Sequence, residues 1–283
     1  MTAAAIGWIG EPGHAGQWNS PDALAIPLDE RGLLLADGLF ETVLVEQGSP
    51  QLLAAHISRW HHSAALLGLA TPPSPEQIEL LVQDAQQRSG ITTGALRLNW
   101  SRGSGGRGID LPADGGTPRF WLQLSTTSPS FEPVAVIVSP TERRCATSLL
   151  SRCKTFAYGP SIQARRQARA AGADDALLKS TAGGLCSGTT ANLLLEIEGR
   201  WLTPPVSSGC LPGVMRQRAL DLGLIEEAAS PMAPASIEQG GIAAAWLLNS
   251  LGCRPIRSIH STRLAGCDPE AAEQFWRRLL CTP

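Results

Sequence analysis

The sequence predicts a mixed α/β protein in two parts: an N-terminal α/β domain over residues 1–128 and a C-terminal α/β domain over residues 129–283. Three observations carry this reading. Strands with a two-residue period alternate along the chain with helical stripes. The stretch "TTSPSFEP" (Thr126–Pro133) gathers turn formers between two strands and reads as a linker. A length of 283 residues is enough to fill two cores.

The elements follow in order. "ETVLVEQGSPQLL" (Glu41–Leu53) reads as a hairpin turning at Gly48-Ser49-Pro50. "AHISRWHHSAALLGL" (Ala55–Leu69) reads as a helix, because Ile57, Trp60, Ala64 and Leu67 recur on one face and leave Arg59 off it. Pro72-Pro73 breaks the chain, and a second helix begins with Ser74 as N-cap and Pro75 at the first helical position. "ALRLNWS" (Ala95–Ser101) and "RFWLQLS" (Arg119–Ser125) alternate as half-buried strands on either side of a glycine-rich loop. Beyond the linker come strand "VAVIVS", helix Pro160–Gly172, strand "DALLKS" and a hairpin turning at Gly199. A helix near Pro212, a strand in "AAAWLLNS" and a last helix capped by Asp268 with Pro269 behind it complete the chain.

Composition removes several classes of function. A net charge of −2 gives no overall attraction to nucleic acid or to an anionic membrane. No run approaches the roughly 18 apolar residues of a membrane span. The N-terminus lacks a basic segment followed by a long apolar one, so no secretory signal is expected. Cys145, Cys153, Cys186, Cys210, Cys253, Cys267 and Cys281 form no CxxC pair. Neither a zinc site nor a disulfide framework is therefore expected, and reduced thiols in a cytoplasm fit best.

Arginine supplies nearly all the cations. The lysines are only Lys154 and Lys179, and the single tyrosine, Tyr158, lies four residues after the first of them. A lysine amine does chemistry when it is deprotonated or condensed with an aldehyde. An imine with pyridoxal phosphate (PLP) is one such use. It calls for a phosphate clamp and for partners to the ring oxygen and the pyridine nitrogen.

Several stretches carry a resemblance. "LDERGLLLADGLFET" (Leu28–Thr42), "KTFAYGPSIQARRQARAAGADDALL" (Lys154–Leu178), "TTANLLLEIEGRWLTPPVSSGCLPGVMR" (Thr189–Arg216) and "LLNSLGCRPI" (Leu247–Ile256) occur in this order. The chain resembles the PLP-dependent fold-type IV family of branched-chain aminotransferases, D-amino-acid aminotransferases and 4-amino-4-deoxychorismate lyases. The resemblance implies a two-domain fold of the D-amino-acid aminotransferase type. It implies Lys154 as the Schiff-base lysine and proton shuttle, and Tyr158 as partner of the ring oxygen. It implies Arg59, the backbone of Val214 and Met215, and the Ser250 hydroxyl as phosphate ligands. A planar guanidinium and a helix N-terminus both suit that anion. One position departs from the pattern. Ser187 stands where the family normally places a glutamate against the pyridine nitrogen, so weaker carbanion stabilisation is expected.

"NWSRGSGGRGIDLP" (Asn99–Pro112) resembles the SRGxGGRG loop of aminodeoxychorismate lyases. That loop implies Arg102 and Arg107 as partners of a substrate with two carboxylates. The implied reaction is a PLP-dependent elimination of pyruvate that yields 4-aminobenzoate for folate synthesis, with Thr42 as a candidate proton donor. An aminotransferase and a non-catalytic PLP-binding relative are the alternatives. The family also implies a homodimer. No metal, nucleic-acid or membrane partner is expected.

Overall fold

The computed structural model describes residues 4–11, 15–113, 115–229, 231–232 and 241–281. The chain forms two compact units. One holds Met1–Ser128 with Cys153–Ala157, and the other holds Pro129–Arg152 with Tyr158–Pro283. The short segment carrying Lys154 thus groups with the first unit, separately from the flanking chain.

The first unit runs β1 (Ile6–Gly10), β2 (Gln17–Asn19), α1 (Arg31–Leu34), β3 (Gly38–Glu46), β4 (Ser49–Pro50), α2 (Leu53–Leu66), α3 (Pro75–Ser89), β5 (Gly94–Ser101) and β6 (Arg119–Thr126). The strands form an antiparallel sheet in the order β2-β1-β6-β5-β3-β4. The hairpin after β3 turns at Gln47 and Gly48, both with positive φ. Its returning strand is only Ser49–Pro50, because proline has no N–H to continue the ladder. Helix α2 consequently starts at Leu53, two residues before the expected Ala55.

Helix α3 has the capping box its sequence promises, with Ser74 and Gln77 bonding reciprocally, and it ends at Gly90. One sheet face presents Leu39, Val43, Val45, Leu96, Leu98, Leu122 and Leu124 to Ile57, Trp60, Ile78 and Val82 of the helices. Trp60 meets Trp100 edge-on at 6.3 Å and Phe120 at 5.9 Å. That face is the core, so the alternate residues of the same strands lie on the other face.

The second unit runs β7 (Val134–Arg144), α4 (Gly159–Ala170), β8 (Asp175–Ser180), β9 (Leu185–Gly188), β10 (Asn192–Ile197), β11 (Arg200–Thr203), α5 (Val214–Asp221), β12 (Glu226–Glu227), β13 (Ala244–Asn249), β14 (Gly252–Ile259), β15 (Thr262–Arg263) and α6 (Pro269–Leu280). Parallel β7 and β8 are joined through α4, whose Ala164 and Ala168 pack beside Ala176 and Leu178. The sheet order is β12-β11-β10-β13-β14-β7-β8-β9, and β9 bridges back to β10 at Ser187–Asn192. Six strands thereby close into a ring around Val134, Val136, Leu177, Leu193, Leu195, Leu247 and Ile256. Asp268 caps α6, accepting from the N–H groups of Glu270 (2.9 Å) and Ala271 (3.1 Å).

Among the described residues, no helix is long and apolar enough to cross a membrane. No group of three or more metal-ligating side chains occurs among them either.

Candidate active site

The Lys154 segment is held by main-chain bonds to the start of β3. The Phe40 N–H donates to the Lys154 carbonyl (2.9 Å), and the Phe156 N–H donates to the Gly38 carbonyl (3.1 Å). Thr155 bridges to Leu39 between them. Gly38 is required by this approach. A Cβ there would stand 2.2 Å from the Phe156 ring and 2.8 Å from the Trp100 carbonyl. Phe156 also packs on Phe40 (6.4 Å) and Trp121 (5.5 Å).

This docking sets Lys154 beside Phe40, with its Nζ 4.1 Å from the ring centroid. Arg97 lies on the same ring at 3.7 Å. Such contacts contribute about 0.5–1 kcal/mol each at exposed sites. Register explains the grouping. Phe40 and Thr42 lie two apart on β3, and Arg97 on β5 is directly opposite Thr42. Lysine amine, arginine and threonine hydroxyl therefore share the sheet face opposite the core. Asn99, opposite Phe40, accepts a hydrogen bond from Arg97 Nε (2.8 Å).

Arg59 is oriented from beneath. Glu41 is buried on the core face of β3. Its Oε1 accepts from Arg59 Nε (2.8 Å), and its Oε2 lies 2.8 Å from His56 Nδ1 and also accepts from Arg59 Nη2. Burial alone would raise the Glu41 carboxyl. The Arg59 charge and the His56 hydrogen bond outweigh it and hold the group at about 2. Burial lowers His56, which leaves a neutral ring whose Nδ1–H donates to Glu41. Sequence reasoning passed over Phe40, Glu41, His56 and Arg97. The strand alternation could have paired Arg97 with Thr42, but the partnership of His56 with Glu41 depends on how α2 packs.

The two loop arginines differ. Arg102 is buried. Its Nε donates to Asp37 Oδ2 (2.9 Å), its Nη1 to the Gly68 carbonyl (2.8 Å) and its Nη2 to the Leu67 carbonyl (3.2 Å). Asp37 also accepts from Arg31 Nε (2.9 Å). Burial would raise the Asp37 carboxyl, but the Arg102 and Arg31 hydrogen bonds prevail and lower it. Arg102 is thus engaged in anchoring the loop. Arg107 is exposed.

In the second unit, Ser187 is buried on β9 and pairs with Leu178 and Asn192. Asn192 pairs in turn with Leu248 on β13, two residues before Ser250. Asn192 Nδ2 donates to the Leu211 carbonyl (2.9 Å), just before α5. A Cβ on Gly213 would stand 2.0 Å from Asn192 Oδ1, so a side chain there would have to displace that amide. Gly213 is the N-cap of α5 and offers no side chain to the helix. The first N–H groups of α5 therefore receive no capping side chain. Ser187, Ser250 and the start of α5 lie at one end of the strand ring. Tyr158 is half-buried at the N-terminus of α4, where its carbonyl accepts from the Ile162 N–H (2.9 Å).

The first unit offers an amine and a guanidinium, and the second, by itself, an uncapped helix start and two serine hydroxyls, groups of the kinds that suit PLP. Among the described residues the buried carboxylates are Glu30, Glu41 and Asp175. Each is committed: Glu30 to Arg119, Glu41 to Arg59 and His56, Asp175 to Arg165 and Thr189.

Residues 38–259 match the model of the family described as amino-transferase class IV. The chain is 27% identical over 232 residues to the bifunctional aminodeoxychorismate lyase / D-amino acid transaminase of Mycobacterium tuberculosis, covering 73% of this chain and 75% of that one. It is 26% identical over 207 residues to the D-alanine aminotransferase of Bacillus licheniformis, covering 70% and 69%. Among solved structures, it superposes with a TM-score of 0.82 on a Legionella pneumophila protein provisionally named 4-amino-4-deoxychorismate lyase, at 27% identity and 92% and 96% coverage. A fold IV transaminase of Curtobacterium pusillum shares the fold with a TM-score of 0.82, at 24% identity and 99% and 100% coverage.

Proposed function

The chain belongs to the class IV aminotransferase family of PLP-dependent enzymes, and from that premise we propose that it is a 4-amino-4-deoxychorismate lyase releasing pyruvate and 4-aminobenzoate. The observation that carries this reading is the shared face of Phe40, where Lys154, Arg97 and Thr42 put an amine, a carboxylate-binding cation and a hydroxyl side by side. The SRGSGGRG loop, with Arg107 exposed, supports it.

PLP supplies an aldehyde that condenses with amines and a conjugated ring that accepts electrons. Arg59, fixed by Glu41, would hold the phosphate, as would the N–H groups of Val214 and Met215 and the Ser250 hydroxyl. Tyr158 would take the ring oxygen and Ser187 the pyridine nitrogen. Arg97 and Arg107 bind the two substrate carboxylates. Lys154 removes the proton from the amine-bearing carbon. The C–O bond to the enolpyruvyl group then breaks, Thr42 delivers a proton to that group, and the ring becomes aromatic. A serine at position 187 would share only a neutral hydrogen bond with the ring nitrogen. That favours an elimination driven by aromatisation over transamination.

The alternative is an aminotransferase, supported by the transaminase names of the relatives. The protein acts, in our reading, as a homodimer in the cytoplasm, consistent with its free thiols. The deciding experiment is an assay with aminodeoxychorismate generated in place. The lyase gives pyruvate and 4-aminobenzoate with no keto acid added, and Lys154→Ala gives neither. A stoichiometric need for a keto acid would establish the alternative. Borohydride treatment of the holo-protein should label Lys154.

A further inference from the structure

The loop that carries Arg107 is tied to the segment before β3, wholly within the first unit. The two stretches begin side by side. The Arg31 N–H donates to the Gly103 carbonyl (3.0 Å), and the Gly105 N–H donates to the Asp29 carbonyl (3.3 Å). Ser104 bridges to Glu30 between them, and its hydroxyl donates to Asp29 Oδ1 (3.0 Å). The Arg31 side chain then reaches the other end of the loop. Its Nη1 donates to the Asp110 carbonyl (3.0 Å) and its Nη2 to the Ile109 carbonyl (3.3 Å), while its Nε donates to Asp37 Oδ2 (2.9 Å). All of these nitrogens belong to one planar group, so their directions are fixed together. Arg31 is buried, and a Cβ on Gly105 would stand 2.8 Å from its Cδ, so the loop lies directly against the arginine stem. Gly105 to Asp110 is therefore an arc fastened at both ends, with Arg107 exposed between them. Gly106 and Gly108 flank Arg107, and glycine leaves the backbone its widest freedom, so the arc depends on its fastenings for a single shape. Arg102 differs: its bonds to Asp37 and to the Gly68 and Leu67 carbonyls fix only the entry to the loop.

We propose that Arg31 is a positioning residue for substrate: by fastening the far end of the Gly105–Asp110 arc, it holds the Arg107 guanidinium ready for a substrate carboxylate. The inference rests on the role given to Arg107 in the proposed lyase. Arg31 acts through Arg107, because its own side chain is buried and bonded to Asp37, Ile109 and Asp110. An arc ordered in advance loses less freedom when the anion binds, so loosening it weakens binding more than chemistry.

Two measurements on the holo-protein test this, with Arg31→Lys as the variant. Lysine keeps a charge beside Asp37 but offers a single nitrogen in place of the planar fork. Trypsin reaches the bond after Arg107 when the arc opens. Native cutting there, mapped by peptide mass, should be at least about tenfold faster in Arg31→Lys than in the wild type. Equal rates, or an equal acceleration at every cut site, overturn the fastening whichever reaction the protein performs. In the second measurement, KM for aminodeoxychorismate should rise at least about fivefold in Arg31→Lys, with a smaller effect on kcat. In an Arg107→Ala background the same substitution should add nothing. An unchanged KM in Arg31→Lys, or an equal rise in both backgrounds, overturns the positioning role. A KM unaltered by Arg107→Ala alone overturns the link to substrate; the role of Arg107 has then failed, and trypsin still decides the fastening.

Discussion

Glu41 shows how one buried side chain can serve both stability and function. Its carboxylate orients Arg59 and accepts the His56 hydrogen bond, so removing the charge takes the Glu41 carboxylate from a largely buried guanidinium. Breaking a buried pair in this way costs about 3–5 kcal/mol. Glu41→Gln is expected to lower the urea-unfolding free energy by about that amount and to weaken PLP binding. The same residue sets an acid limit. Its folded value of about 2 lies below the ordinary 4.5, so the unfolded chain binds more protons between them. The contribution is fully present above about pH 4.5 and is lost as the pH falls towards about 2. Unfolding curves measured through this window should be steeper in pH for the wild type than for Glu41→Gln. At the opposite face, Arg97→Ala removes a cation proposed for substrate carboxylate. It should raise KM about 10–100-fold, the equivalent of a charged hydrogen bond of about 1.5–3 kcal/mol, with a smaller effect on kcat. An unchanged KM would remove Arg97 from the substrate site.

At the scale of elements, the start of α5 is the sharpest test of the phosphate grip. Gly213→Ala must displace Asn192 from its bond to the Leu211 carbonyl. PLP affinity should fall at least about tenfold, measured by equilibrium dialysis, because the two N–H groups at the start of α5 shift with the turn. This element was legible in the sequence, since a glycine turn followed by a helix is a local signal. So were α3, with its Ser74–Gln77 box, and the alternating strands β5 and β6. What was not legible is long-range. The short glycine-bearing β1 offers no clear alternation. The grouping of Arg97 with Lys154 requires β5 to register on β3, and it also requires a segment over a hundred residues later to dock on Gly38 and Phe40. The partners of Arg102 were not legible for the same reason. Its motif is local, but Asp37 and the end of α2, which occupy it, are distant in sequence.

At the scale of the whole molecule, the first unit exposes an apolar patch. Leu28, Leu33, Leu34, Ile109 and Leu111 are all exposed. Arg31 ties their two segments together by donating to the carbonyls of Asp110 (3.0 Å) and Ile109 (3.3 Å). Clustered exposed apolar side chains mark interaction surfaces, and a second copy of this chain is the proposed occupant. Light scattering should give a dimer for the wild type and a monomer for a Leu33→Asp/Leu34→Asp variant. A monomeric wild type would refute the assignment.

The main-chain attachment of Cys153–Ala157 to β3 has a consequence for dissecting the protein. Severing the polypeptide at the junction after Ser128 would give a leading fragment that lacks the reactive amine and a trailing fragment that has it without its dock. Neither piece alone should develop the yellow colour of bound vitamin B6. Mixing them should restore it only as the trailing piece threads its short segment back along Gly38 and Phe40, which makes colour a gauge of reassembly.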